Sequence, residues 1–205
     1  MKHTQYQCST ATQQKVIDAV IGLVHQKNFE TITVQDICRA AGVSTGSFYH
    51  QFGTKDGVVM AAYQTVDRLL TDGFMAENRL LPPIQALDHL LRRYILYVQQ
   101  EVGVVIAQYY RVLLNHPAAQ RYDANRPFCR EIRSILSQAQ AQGLVDTECD
   151  LTVLSESIMR LLRGLLFDWV IQGEDSDLLT KYRLEFEIFL RGVRPQGPGQ
   201  TPPGP

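Results

Sequence analysis

Thr33 and Ser44 are the residues whose type and placement most plainly set up chemistry in this chain. Each stands where a helix can start, and a hydroxyl there can accept a hydrogen bond from an orphan backbone N–H two or three residues on. After Thr33, Val34, Ile37 and Ala41 recur on one helical face. Gly42 then suits the positive-φ position that ends a short helix. A second short helix opens at Ser44, with Phe48 and Phe52 turned inward and Thr45, Gly46, Ser47, Tyr49 and His50 left to solvent. Such residues offer hydroxyls and backbone N–H groups to phosphate oxygens and base edges. They do not make a covalent catalyst.

Two short helices about a glycine turn form a helix-turn-helix pattern, whose second helix enters the DNA major groove while the first crosses the backbone. Other chemistries find no support. There is no nucleophile-base pairing, H-E-x-x-H or Gly-rich phosphate loop, so the expectation is that the chain is not an enzyme and needs no cofactor. Cys8, Cys38, Cys129 and Cys149 lack the spacing of a zinc site. Reduced thiols and no metal are expected, with Cys129 and Cys149 as redox sensors only if exposed with a lowered pKa. The N-terminal MKHTQYQCST is polar, and no run approaches the ~18 apolar residues of a membrane span. A cytoplasmic location follows as the expectation.

The net charge is −1. Before residue 61 the bases Lys2, Lys15, Lys27, Arg39 and Lys55 face the acids Asp18, Glu30, Asp36 and Asp56. That balance argues against a broad DNA-binding surface, because nonspecific affinity comes from cations neutralising phosphates. Any DNA contact must be compact and lean on hydroxyls, backbone N–H groups and helix N-termini.

The surrounding elements read as helices throughout. A first helix over about Thr10 to Lys27 carries Val16, Ala19, Val20, Leu23 and Val24 as its apolar stripe. Asn28 is expected to end it in the left-handed conformation, and Phe29 and Ile32 to enter the small core. Thr54 caps the next helix, which Val58, Val59, Ala62, Val66, Leu69 and Leu70 carry toward Phe74. Gly57 in its first turn costs about 1 kcal/mol of helix propensity and promises a loose junction. After Pro82 and Pro83, helices are expected over Ile84 to Gln100, Val104 to Leu114 with Gly103 as the joint, and Arg126 or Pro127 to Gly143. The second of these ends near His116 and Pro117. Ala118 to Asn125 reads as loop. Leu151 to Ile171 is the most apolar helix, and Leu178 to Leu190 the last. The 205 residues, 45% hydrophobic, thus divide into a three-helix head (1-55), a helical body (56-193) and a Pro/Gly-rich tail (194-205) that cannot pack a core and reads as disordered. The fold class is all-α, with about nine helices.

The segment TVQDICRAAGVSTGSFYHQFGTKDGV after a leading helix resembles the DNA-binding head of the TetR family of bacterial transcriptional regulators. The likeness covers roughly residues 10 to 70. Its densest part, A-A-G-V-S-x-G-S-F-Y-H-x-F-x-x-K, is far longer than a generic helix-turn-helix cue. Asn28, Cys38 and Gly57 depart from the family pattern. The resemblance implies phosphate contacts from Thr33, Ser44, Tyr49, His50 and Lys55, with Thr45, Gly46 and Ser47 at the tip of the recognition helix reaching base edges. Thr33 and Ser44 would cap their helices with or without DNA. Arg39 reads as a solvated surface charge.

The helices Leu151 to Ile171 and Leu178 to Leu190 carry too much apolar surface for a monomer to bury, which marks an interface, most commonly a two-fold one. The resemblance implies the same, a homodimer through the last two helices of each subunit. It also implies a double-stranded, palindromic DNA operator and a small-molecule effector held in the body, whose binding relieves repression. Tyr94, Tyr97, Gln108, Tyr109, Phe128 and Trp169 are the candidates to line that site, although helical cores contain aromatics as a matter of course. Two other readings fit the same residues: a helical ligand-binding or enzymatic protein with a vestigial head, and a structural DNA-binding dimer without an effector.

Overall fold

The computed structural model describes residues 2–64, 67, 70, 72–115, 126–173 and 177–195. The described residues form ten α-helices, a short 3-10 turn and a π-helical turn, with no strands among them. The Cys8 side chain, Val66, Leu69, His116 and Pro117, the loop expected over Ala118 to Asn125 and the tail from Gln196 onward lie outside the described residues. The chain divides into two compact units, residues 1–66 with 97–121 and residues 67–96 with 122–205.

The first unit contains α1 (Lys2–Val24), the 3-10 turn Phe29–Thr31, α2 (Val34–Ala41), α3 (Thr45–Phe52), α4 (Lys55–Gln64), the π-helical turn Val98–Val102 and α7 (Gly103–Asn115). Val16, Ile17 and Val20 of α1 pack with Phe29, Ile32, Ile37, Phe48, Val58, Val59 and Ala62 into one fully buried apolar cluster. α1 starts earlier than the apolar stripe indicated, because no Gly or Pro interrupts residues 2–21. Asn28 is not left-handed. It is extended, with φ −57° and ψ 133°, and its Oδ1 accepts the Glu30 N–H at 2.9 Å, so it caps the 3-10 turn instead of ending α1. Gly103 is not a joint either: its φ of −52° and ψ of −43° are right-handed helical, and the π-helical turn runs straight into α7. Tyr109 of α7 stacks on Tyr63 of α4 with ring centroids 3.8 Å apart.

The helix expected from Thr54 to Phe74 is interrupted. α4 is described to Gln64, Leu70 is outside any helix, and α5 spans Asp72–Asn78. Around the break the Leu70 N–H closes a turn on the Asp67 carbonyl.

The second unit holds α5, α6 (Pro83–Tyr97, up to Leu96), α8 (Pro127–Ala141), α9 (Leu151–Gln172) and α10 (Leu178–Gly192). Asp67 accepts the Phe128 N–H at 3.2 Å and Arg126 Nε at 3.3 Å, which holds the start of α8. Asp150 and Asp177 cap α9 and α10 by accepting from Val153 N and Thr180 N. Leu87, Leu90, Leu91 and Ile95 of α6, Ile132 and Leu136 of α8 and Leu162 and Leu166 of α9 are all buried, and Tyr94 of α6 lies against Phe128 of α8. Tyr182 of α10 donates to Asp88 at 2.9 Å, and burial pushes its phenol pKa well up. On α9 and α10, Phe167 (44% exposed), Ile171 (65%), Leu184 (59%) and Ile188 (67%) remain on the surface.

Candidate nucleic-acid interface

α2 owes its start to a reciprocal cap. Thr33 Oγ1 accepts the Asp36 N–H at 3.1 Å while the Asp36 carboxylate accepts the Thr33 N–H at 3.1 Å, which satisfies two donors that a helix N-terminus leaves orphaned. The same carboxylate receives Lys27 Nζ at 2.9 Å and lies 3.6 Å from Arg39. The Lys27 bond, followed by those from Thr33, holds the Asp36 carboxyl well below the usual carboxylate range. One side chain thereby ties the segment after α1 to the first turn of α2.

Gly42 closes α2 in the left-handed conformation, φ 66° and ψ 35°, a backbone position that Gly adopts without steric cost. Two residues later Ser44 Oγ accepts the Ser47 N–H at 3.1 Å and starts α3. Phe48 anchors α3 in the core, with Tyr49 and Phe52 each 5.5 Å from its ring centroid. Burying Phe48 fixes the rotation of α3. Ser44, Thr45, Gly46, Ser47, Tyr49 and His50 are all exposed, as is Thr33 at the head of α2.

Gly46 is not explained by packing. A Cβ there would meet only Ser44 Oγ, at 4.0 Å. Gly57 is the opposite case: a Cβ would lie 2.1 Å from the Phe52 carbonyl oxygen, so glycine lets α4 start against the end of α3. The junction is close, not loose, and Thr54 Oγ1 caps it by accepting the Gly57 N–H at 3.0 Å.

Lys55 stands apart from the other expected contacts. Its Nζ donates to the carbonyls of Phe29 at 2.8 Å and Ile32 at 3.1 Å. Lys27 and Arg39 face Asp36, and Arg111 of α7 pairs with the Glu30 carboxylate. The exposed α3 face therefore presents hydroxyls, a phenol, an imidazole and backbone N–H groups more than free cations. That chemistry suits phosphate oxygens at a helix N-terminus and hydrogen bonding to base edges. Lys27, Asp36, Glu30 and Arg111 were not among the expected functional residues, and for Asp36 its place three residues after Thr33 was the available signal.

The six candidates for an effector site are divided. Tyr97, Gln108 and Tyr109 belong to the first unit, and Tyr94, Phe128 and Trp169 to the second. Tyr94 and Phe128 are buried against each other, 5.2 Å between ring centroids, and Trp169 is buried as well. Gln108 lines a cleft of about 200 Å³ with Phe29, Lys55 and Arg111. Cys38 and Cys129 are buried. Burial, then the Asp146 and Glu148 carboxylates, push the Cys149 thiol pKa up, which disfavours a reactive thiolate. Among the described residues no His, Cys, Asp and Glu cluster has the makings of a metal site, and no helix is long and apolar enough to cross a membrane.

Residues 16–62 match the family model for bacterial regulatory proteins of the tetR family. The chain is 21% identical to the HTH-type transcriptional regulator YvdT of Bacillus subtilis, over 87% of this chain and 92% of that one. It is 20% identical to the HTH-type transcriptional regulator UidR of Escherichia coli, over 89% and 92%. Among solved structures it is similar to FadR of Thermus thermophilus, a TetR-family transcriptional repressor in complex with lauroyl-CoA. That match has a TM-score of 0.68 and 22% identity, covering 93% of this chain and all of that one. Both of these relatives, YvdT and UidR, are HTH-type transcriptional regulators.

Proposed function

We propose, from the premise that this chain belongs to the TetR family of bacterial transcriptional regulators, that it is a homodimeric repressor whose hold on a palindromic operator is relieved by a small-molecule effector. The observation that carries the DNA-binding part is the α3 N-terminus. A Ser44 cap and a buried Phe48 hold Thr45, Gly46, Ser47, Tyr49 and His50 on one exposed face. In this reading Thr33, Ser44, Tyr49 and His50 contact phosphates, while Thr45, Gly46 and Ser47 approach base edges.

The exposed apolar residues of α9 and α10 support a second copy of the chain as their partner. Phe167 and Ile171 on α9, and Leu184 and Ile188 on α10, each recur at helical spacing. Two heads on such a dimer would meet half-sites about 34–36 Å apart. An effector bound in the body, residues 56–193, lowers operator affinity only by the amount it prefers a dimer with another head separation. The lauroyl-CoA in the FadR complex makes that acyl-CoA the first probe.

The test is a gel-shift titration of purified protein on the DNA upstream of its gene, with and without lauroyl-CoA. Saturable binding that a scrambled duplex does not compete supports the reading; equal binding to both sinks it. A DNA-binding dimer without an effector is the second reading, favoured by the tight burial of Tyr94, Phe128 and Trp169, and it predicts binding that no ligand weakens.

A further inference from the structure

The 3-10 turn Phe29–Thr31 lies just upstream of the Thr33 cap and is held from two helices. From α4, Lys55 Nζ donates to the carbonyls of Phe29 at 2.8 Å and Ile32 at 3.1 Å, lies 3.5 Å from that of Glu30, and stands 4.4 Å from the centroid of the Phe29 ring. From α7, Arg111 pairs with the Glu30 carboxylate. Carbonyl oxygens at the end of a helical turn carry partial negative charge, so a cation is favourable there, and the face of the Phe29 ring adds to the attraction. An ammonium has three donors and no acceptor. With these carbonyls around it, Lys55 would have to give up bonds within the fold to reach a DNA phosphate.

Resting on the DNA-binding reading above, we propose that Lys55 is a positioning residue for the DNA-reading face and not itself a phosphate contact. By gathering the carbonyls of Phe29 and Ile32 it fixes the segment from which Thr33 starts α2, and with it the angle at which α2 and α3 meet the duplex. The Ile32 N–H already donates to the Phe29 carbonyl at 3.1 Å and the Thr31 N–H to the Asn28 carbonyl at 3.0 Å. Those amides report the integrity of the turn.

The experiment compares wild-type full-length protein with Lys55→Met, which keeps the aliphatic stem and loses the donors; Lys55→Gln, which likewise removes the cation, takes its place should the Met variant fail to fold. Amide hydrogen exchange is measured without DNA. Affinity is measured against a duplex that the wild type enriches from a random pool, across a series of salt concentrations. The expected result is exchange at Thr31 and Ile32 at least about tenfold faster in the DNA-free variant, and operator affinity lower by about tenfold. The slope of log affinity against log salt stays unchanged. Unchanged exchange with a slope shallower by about 0.9 would make Lys55 a phosphate contact and overturn the proposal. Unchanged exchange with unchanged affinity would overturn it as well. Failure of the wild type to enrich any duplex counts instead against the DNA-binding reading, and is separated from the Lys55 result because the exchange measurement needs no DNA.

Discussion

Gly57 sits against the carbonyl of Phe52 so closely that a Cβ on it would lie 2.1 Å from the oxygen and 3.1 Å from the carbon. Helix propensity alone favours Ala over Gly by about 1 kcal/mol at an exposed position. Here the contact is with backbone, which cannot rotate aside, and forcing in a methyl group typically costs 1–3 kcal/mol. Gly57→Ala is therefore expected to lower the urea midpoint despite the better helix former. A raised midpoint would show that the start of α4 yields easily.

Gly46 gives the complementary expectation. Its Cβ position is open, so Gly46→Ala should leave stability unchanged or raise it by up to about 1 kcal/mol. Operator affinity should fall, because the methyl group would stand between the α3 backbone and the DNA surface. Thermal unfolding and an anisotropy titration on the same preparation separate the two effects. Undiminished affinity would show that the backbone at Gly46 does not approach the duplex closely.

Asp36 predicts an acid-sensitive head. Its folded-state pKa is depressed, first by the Lys27 bond and then by those from Thr33. The stabilisation is present above the unfolded-state value, ~3.9 for an ordinary Asp, and is lost as pH falls through the folded-state value. Unfolding midpoints measured from pH 6 downward should decline more steeply for the wild type than for Asp36→Asn. Parallel curves would show that the bonds to Lys27 and Thr33 add nothing to stability. Solvent screening keeps the effect of this partly exposed group small.

The apolar residues on α9 and α10 predict assembly. Ile171 and Ile188 are mostly exposed, so replacing either with Glu leaves the core of the second unit intact while putting a charge where a second copy would pack. Sedimentation velocity should show a wild-type dimer and a largely monomeric Ile171→Glu or Ile188→Glu variant, with circular dichroism unchanged. A wild-type monomer at micromolar concentration, or dimeric variants, would move the interface elsewhere.

Much of the fold was legible because its signals are local. The caps at Thr33, Ser44 and Thr54, the stop at Gly42 and the inward Phe48 follow from residue type and spacing, and the structure places each accordingly. What escaped the sequence depends on particular contacts, near or far in the chain, that residue type and propensity do not specify. Asn28 looked like a helix end because Asn tolerates positive φ, yet its side chain caps the following turn. Gly57 looked like a weakness because the Phe52 carbonyl beside it is invisible to propensity. The bonds from Lys55 to the carbonyls of Phe29 and Ile32, more than 20 positions back, carry no pattern in the sequence. The packing of α7 with α4, through Tyr109 on Tyr63, was equally silent.

The central claim is that the N-terminal face of α3 reads DNA. The most direct measurement is fluorescence anisotropy of the full-length protein on a duplex enriched from a random pool, on its single-base variants and on a scrambled duplex. The account predicts a preference of about 10³ or more for the enriched duplex. Tyr49→Ala should weaken binding to every duplex by roughly tenfold, since a hydrogen bond to a charged group is worth about 1.5–3 kcal/mol. Thr45→Ala or Ser47→Ala should instead reorder the single-base variants. Equal affinity for enriched and scrambled duplexes, or an unchanged ranking in both the Thr45 and Ser47 variants, would contradict it.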